Sequence, residues 1–242
     1  MSTRYSSMNS KRSVSLHEIA LERWWPTLPT PVLALLELEQ DPFYSFLDER
    51  KVSDIIDEAL YYGKQQAKKM EVSRSPTQII NQVIHSGIRI RFPPKETQQN
   101  HTIRAQYRTT PPTIDVYRHS LQELLHFFQK TGFKVPQEEI ITLHVVHEWF
   151  HHMESSHWGR TDLKLPKVSV PLWGPIYKHR PLKRLREIAA HSFTQEIMEL
   201  PWSPLLLDHL LLLIQHGQSK QQIRDHFTHL NVKYQMLLSP KK

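Results

Sequence analysis

The chain has 242 residues, 39% of them hydrophobic, so it can bury a core as one large domain or as one domain with an appendage. The lack of cysteine excludes disulfides and thiolate ligands, so any metal must be held by His, Asp or Glu. The net charge of +7 comes from basic residues spread along the chain, which leaves a nucleic-acid partner uncertain. No apolar run could span a membrane and no signal peptide is recognisable, so we expect a cytoplasmic protein without a membrane partner.

The first part of the chain, residues 1–50, is predicted to be an N-terminal extension. Its first dozen residues are rich in Ser, Lys and Arg and are predicted to be disordered. Residues 15–49 carry many aromatic and leucine side chains, interrupted by prolines. This pattern predicts short helices and turns that dock on the rest of the protein, because so many aromatic groups would not remain in water.

The main domain is predicted at residues 51–200 and a helical C-terminal segment at 201–242. Strict or near-strict alternation of apolar side chains predicts three short strands, at 88–92, 102–108 and 113–117. Helical periodicity predicts helices at 52–71, 76–87, 120–130, 137–154, 182–198, 205–216 and 220–230. Residues 157–180 are predicted to be an irregular basic loop. The fold class is therefore α+β, mostly helical with a small three-stranded sheet.

The helix predicted at 137–154 contains the motif H-E-x-x-H, formed by His147, Glu148 and His151. Residues four apart lie one turn apart on the same helix face, so both imidazoles can bind one metal ion. The glutamate between them can then take a proton from a water at the metal, as in zinc hydrolases. The alternative is a surface helix in a histidine-rich chain, where the motif arises by accident.

A catalytic zinc site usually has three protein ligands, and the helix predicted at 182–198 offers the third. Glu187 lies on this helix, and the small residues Ala189 and Ala190 would let it pack closely on a neighbour. Close packing is what a carboxylate needs to reach a metal held by another helix. The alternative is that Glu187 is a surface carboxylate that complements the dipole near the helix N-terminus.

A rival third ligand is His157, six residues after His151, which reproduces the histidine spacing of the metzincin pattern H-E-x-x-H-x-x-G-x-x-H. The glycine that turns the chain sharply in that pattern is replaced here by Glu154. The neighbouring His152 points in another direction from the two motif histidines and is predicted to be a surface residue or a partner of a ligand.

The H-E-x-x-H helix followed by E-x-x-A-x-x-F on a later helix resembles the ImmA/IrrE family of gluzincin metallo-endopeptidases. The second stretch of that family usually reads E-x-E-A-N-x-F-A-A-E-L-L-M-P. This chain matches it at Glu187, Ala190, Phe193, Glu196, Ile197 and Met198. The segment 219–237 is also similar to the helix-turn-helix-like ending of the family, so the resemblance covers residues 52–238.

The resemblance implies a zincin-like fold in which the H-E-x-x-H helix packs on a second ligand-bearing helix. It implies a zinc ion held by His147, His151 and Glu187, with Glu148 as general base. The activity implied is zinc-dependent cleavage of a protein substrate, typically a helix-turn-helix transcriptional repressor in bacterial regulation. The alternative is an inactive zincin-like protein or a basic DNA-binding or protein-binding regulator.

Several residues depart from the family pattern or complete its chemistry. The bulky Trp149 and Phe150 replace a usually smaller pair, and His191 stands where the family tends to have Asn. His191 is predicted to orient a ligand histidine or to replace a polar cap. An oxyanion needs a further donor, and the candidates lie in the predicted basic loop: Tyr177, His179 and Arg180.

Overall fold

A computed structural model describes residues 13–72, 75–94 and 103–238 of the chain. Its helices are α1 (Thr30–Leu38), α2 (Val52–Lys68), α3 (Pro76–His85), α4 (Arg118–Lys130), α5 (Gln137–Met153), α6 (Thr161–Lys164), α7 (Arg184–Ile197), α8 (Pro204–Gln215) and α9 (Lys220–Leu238). Its strands are β1 (Arg89–Arg91), β2 (Ala105–Thr109), β3 (Pro112–Val116), β4 (Lys167–Trp173) and β5 (Ile176–Pro181). The predicted α+β class is confirmed. The first dozen residues, predicted to be disordered, lie outside the described residues.

The first sheet has the strand order β1-β3-β2, with β1 parallel and β2 antiparallel to the central strand β3. The three predicted strands are thereby confirmed, with bounds that differ by a few residues at most. Strand β2 forms an edge of this sheet and lies against helix α5. This placement brings the backbone of β2 beside the H-E-x-x-H motif.

The prediction of an irregular loop at 157–180 was wrong. A π-helical turn, Glu154–Trp158, follows α5, and the chain then forms the short helix α6 and the antiparallel hairpin of β4 and β5. Pro171 and Pro181 argue against a strand because proline cannot donate to a ladder. In a two-stranded hairpin both strands are edges, so both prolines are tolerated.

Helix α7 packs on α2 at very short range. A Cβ atom added to Gly63 of α2 would lie 2.1 Å from the carbonyl oxygen of Ala189. The Ser192 hydroxyl donates to the carbonyl oxygen of Leu60, at 2.7 Å. The close approach predicted from the small residues of this helix is confirmed, and α7 also contacts α5.

The bulky pair of the motif fills the space between α5 and α7. Trp149 and Phe150 are both fully buried. Both rings contact Phe193 of α7, with ring centroids 6.2 Å and 5.4 Å away. The two aromatic residues are thus core residues on the side of α5 that does not carry Glu148.

The described residues of the N-terminal extension, from residue 13 to residue 50, are part of the same core as the rest of the protein. Buried side chains from all three predicted segments, such as Leu35, Phe193 and Leu207, belong to one hydrophobic cluster. Helix α1 contacts α2, α7, α8 and α9. The prediction that residues 15–49 dock on the rest of the protein is confirmed.

Helix α9 continues to Leu238 instead of ending near residue 230, because its buried face is longer than the sequence pattern indicated. Ile223, Phe227, Leu230 and Tyr234 are buried at helical spacing, and the Tyr234 hydroxyl lies 2.7 Å from the Glu39 carboxylate. Helices α8 and α9 are joined by a short turn. Among the described residues no helix combines the length and apolarity required to cross a bilayer.

Candidate metal centre

Helix α5 presents the two motif histidines on one face. It begins after Pro136 and carries Glu138 and Glu139 in its first turn, where carboxylates complement the helix dipole. The rings of His147 and His151 lie one turn apart, with centroids separated by 5.1 Å. The face that carries them is only partly buried, whereas the opposite face enters the core.

Glu187 of helix α7 meets both histidines. Its Oε2 atom lies 3.3 Å from Nε2 of His147 and 3.4 Å from Nε2 of His151. One donor atom from each of the three residues lies within 4.8 Å of the others. Of the residues that the structure describes, these three form the one group of His, Asp or Glu so arranged. The three predicted ligands are therefore brought together.

The electrostatics of this group suit a cation. Burial acts to raise the pKa of Glu187, but hydrogen bonds with His147 and His151 outweigh it and hold the pKa well below its ordinary value. Burial acts to lower the pKa of His151, but the carboxylates of Glu154 and Glu187 raise it to about 10. The ionised carboxylates hold a proton on His151, and a metal ion at this position would take the place of that proton.

Glu154 contacts the three-residue group, and the sequence reasoning missed this contact. Its buried carboxylate accepts a hydrogen bond from Nδ1 of His151, at 2.9 Å. This bond leaves Nε2 of His151 directed at Glu187. Ligand histidines typically donate their second nitrogen to such a carboxylate, which fixes the tautomer and ring orientation. The signal in the sequence was its position three residues after His151, on the same helix face.

Both oxygen atoms of the buried Glu154 carboxylate accept hydrogen bonds. Oε1 of Glu154 accepts from the backbone amide of Thr161, at 2.8 Å. Oε2 accepts from Nε of Arg186, at 2.9 Å, in addition to His151. Because Arg186 precedes Glu187 on α7, Glu154 connects the two helices that carry the three-residue group.

Glu148 stands at the wall of a cavity of about 370 Å³ that is also lined by His147 and Glu187. Its Oε2 atom accepts a hydrogen bond from the backbone amide of Tyr107 in β2, at 2.8 Å. A carboxylate has several acceptor positions, so this bond orients the group and leaves capacity for a water or a substrate. The tertiary structure therefore places the predicted general base in an accessible site beside the predicted ligands.

Two ion pairs line the same cavity, and neither was predicted. Glu37 of α1 pairs with Arg184 at 2.8 Å, and Arg104 pairs with Asp208 of α8. Burial raises the pKa of Glu37, although the Arg184 guanidinium opposes this effect. Residues from the N-terminal and C-terminal segments therefore contribute to the walls of the site.

His191 lies beside the predicted ligand His147, and its role in orienting a ligand histidine stays a prediction. Its ring centroid is 4.5 Å from that of His147, and its Nε2 atom is 3.7 Å from Oδ2 of Asp208. Its buried Nδ1 atom has no hydrogen-bond partner among the described residues. Burial lowers the pKa of His191 well below its ordinary value, so the ring is neutral at pH 7.

The rival ligand His157 lies in the π-helical turn and is exposed. Its Nδ1 atom lies 2.6 Å from the Ser156 hydroxyl, and its ring is 6.1 Å from that of His152. The structure does not bring it to the three-residue group. His152 is not a surface residue: it is 4% exposed, and its Nδ1 atom lies 2.9 Å from the Tyr107 hydroxyl.

The three oxyanion candidates of the predicted loop lie on strand β5, and in the described structure none of them lines the cavity. Tyr177 is 62% exposed. His179 lies 3.2 Å from the Ser169 hydroxyl of the neighbouring strand. The Arg180 guanidinium stacks 5.6 Å from the ring centroid of Phe43. Because the segment is a hairpin instead of a loop over the site, these side chains are held away from Glu148.

Comparisons of the chain with protein-family models, with curated proteins and with solved structures find no match.

Proposed function

We propose that this protein is a zinc-dependent metallo-endopeptidase that hydrolyses a peptide bond in a protein substrate. The observation that supports it most strongly is that four residues of helices α5 and α7 meet beside one cavity, which three of them line: His147, Glu148 and Glu187. Nε2 atoms of two histidines converge on the Glu187 carboxylate, and Glu148 lies beside them with its carboxylate oriented by a backbone amide. Ligands and base on two packed helices are the arrangement expected of a zincin-like fold of the gluzincin type.

The donor set fits zinc. Two imidazoles and one carboxylate leave a coordination position open, as catalytic zinc sites require, and His151 has the carboxylate partner typical of metal-binding histidines. The same donors also suit iron in oxygenases. A glutamate adjacent in sequence to the first histidine and facing the cavity is the additional feature that favours hydrolysis.

In the proposed mechanism His147, His151 and Glu187 hold the metal. Zinc in such a site supplies Lewis acidity, which makes a water easier to deprotonate and polarises a peptide carbonyl. Glu148 accepts the proton of the attacking water and passes it to the leaving amine. The amide of Tyr107 keeps the carboxylate oriented through both transfers. Arg104 lines the cavity and takes the place of the β5 residues as the candidate donor to the oxyanion.

The resemblance to the ImmA/IrrE family supports a proposal for the substrate class, a helix-turn-helix transcriptional repressor cut in a bacterial regulatory response. This step rests on analogy of motif, not on contacts in the structure. Such a substrate would place the protein in the cytoplasm. Helices α8 and α9 would then serve in packing and substrate docking, since the buried face of α9 is already used within the protein.

Metal analysis is the first test. We expect the purified protein to hold stoichiometric zinc and His147→Ala to lose it. His179→Ala, which removes an exposed histidine on β5, is the matched control and should keep the metal. A wild-type protein that neither contains zinc nor takes it up on reconstitution would contradict the proposal.

Glu148→Gln separates an enzyme from an inactive zincin-like protein. The variant should retain zinc and lose cleavage of a small helix-turn-helix repressor and of unfolded casein. Glu138→Gln, at an exposed position of the same helix, should cleave normally. Cleavage that persists in Glu148→Gln would refute the general-base assignment. A zinc-loaded wild type that cuts neither protein would favour a binding regulator.

A further inference from the structure

Four large apolar side chains are exposed at the end of the β4–β5 hairpin. Leu172 is 58% exposed, Trp173 84%, Ile176 54% and Tyr177 62%. They flank the turn formed by Gly174 and Pro175. These four side chains are named the hairpin tip. Single exposed apolar residues are ordinary, but a contiguous group at the end of an arm marks an interaction site.

The hairpin tip does not pack on the core of the described structure. Only the base of the hairpin is anchored, by the buried Val168 and by Arg180, which stacks on Phe43. From Pro171 to His179 every residue is exposed. Burial of the tip against another surface would therefore remove apolar area from water without rearranging the core.

The surroundings of the tip are basic. Between Leu163 and Arg186 the sequence has no Asp or Glu, and its cations are Lys164, Lys167, Lys178, Arg180, Lys183, Arg184 and Arg186. Two of them form ion pairs within the protein, Arg184 with Glu37 and Arg186 with Glu154. Lys167, Lys178 and Lys183 are exposed. A negatively charged surface is the complementary partner.

We propose that the hairpin tip docks this protein on the surface of an anionic lipid bilayer. Aliphatic Leu172 and Ile176 enter the acyl region, and the rings of Trp173 and Tyr177 take the headgroup level that such rings prefer. Lysines on the hairpin contact anionic headgroups. The contact is peripheral and needs no spanning helix, but it departs from the expectation, made from the sequence, that the protein has no membrane partner.

Two other partners fit the tip less well. A nucleic acid would use aromatic faces for base stacking, and it gives no role to the exposed leucine and isoleucine. A specific protein interface engages about 20 to 30 residues on each side, which is far more than the end of one narrow hairpin offers. The bilayer requires neither a broad surface nor a defined pocket.

Vesicle co-sedimentation of the full-length protein tests the proposal. We expect binding to phosphatidylcholine vesicles that contain phosphatidylglycerol, weaker binding at high salt, and little binding to phosphatidylcholine alone. The double variant Trp173→Ser, Ile176→Ser should lower the partition coefficient at least about tenfold. Val232→Ser, at a 66% exposed position of α9, is the matched control and should bind normally.

A charge variant provides an independent measurement should the tip variant fold poorly. Lys167→Glu with Lys178→Glu leaves the apolar tip intact and should also lose binding to the anionic vesicles. Tryptophan emission that shifts to the blue on vesicle addition in the wild type but not in Trp173→Phe would place this ring in the bilayer.

Unchanged vesicle binding in the tip variant would overturn the proposal. Loss of single-stranded DNA binding in that variant, with vesicle binding retained, would overturn it in favour of a nucleic-acid partner. Neither readout depends on peptide cleavage, so the proposed peptidase activity and the membrane contact can fail separately.

Discussion

The carboxylate of Glu154 lies 2.9 Å from Nδ1 of His151, while Nε2 of the same ring faces Glu187 at 3.4 Å. One imidazole therefore connects a fully buried carboxylate with a more exposed one at the cavity. The buried carboxylate is in turn held by Arg186. This chain of contacts sets the direction in which His151 offers its Nε2 atom, and it gives Glu154 a role that a glycine at this position could not fill.

We expect Glu154→Gln to weaken zinc binding by about 10-fold to 100-fold, the range found when a partner of a metal-binding histidine is removed. The reason is that the amide holds the His151 ring less firmly than a carboxylate does. Competition with a chromogenic chelator measures the change. Glu138→Gln, at an exposed position of the same helix, is the control. Equal zinc affinity in Glu154→Gln and wild type would show that His151 is oriented by packing alone.

Gly63→Ala should destabilise the protein and disturb the metal centre together. The new methyl group would lie 2.1 Å from the carbonyl oxygen of Ala189, so α2 and α7 must move apart. We expect a loss of about 1 to 3 kcal/mol in the free energy of unfolding. Zinc affinity should fall as well, because Glu187 is on the displaced helix. Asp57→Ala on the exposed face of α2 is the control, and chemical denaturation is the measurement. A variant as stable as wild type would contradict this packing.

Trp149→Ala should cost about 3 to 5 kcal/mol of stability, the usual range for removing a buried aromatic side chain. Trp149 is fully buried and contacts Phe193, whereas Trp173 is 84% exposed. Trp173→Ala is therefore the matched control and should leave the unfolding midpoint in urea nearly unchanged. Similar midpoints for both variants would mean that the middle of the H-E-x-x-H motif is not core.

The protein should lose stability in mild acid through His209. Burial is the main cause that lowers the pKa of His209 to about 4, and the charge of His226 adds to it. The unfolded chain, with a pKa near 6.5, binds the proton first. Stability therefore falls as pH drops from about 6.5 to about 4, by up to roughly 1.4 kcal/mol per pH unit.

His209→Phe should reduce this acid slope, because its ring keeps the stacking on Phe227 without a titrating group. Denaturation curves collected between neutral and acidic pH measure the slope. His229→Gln, at an exposed position of α9, is the control and should retain the slope of the wild type. An unchanged slope in His209→Phe would assign the effect to another buried group.

Local patterns in the sequence were sufficient to predict the elements and part of the site. Apolar periodicity predicted the helices and the first sheet, because burial of one face repeats along the chain itself. The spacing of His147, Glu148 and His151 in the sequence likewise predicted that they share one face of α5. The small residues Ala189 and Ala190 indicated that the helix of Glu187 would pack closely, and α7 does so against α2 and α5.

The tertiary structure alone decided which distant groups meet these residues. The amide of Tyr107 orients Glu148, Glu37 of α1 lines the cavity, and Asp208 of α8 pairs with Arg104. These contacts join segments that no local period relates. The hairpin of β4 and β5 was missed for a similar reason, since its prolines argue against strands unless both strands are known to be edges. The periodicity of apolar residues can be read from neighbouring positions in the sequence. A site assembled from separate elements depends instead on how those elements pack.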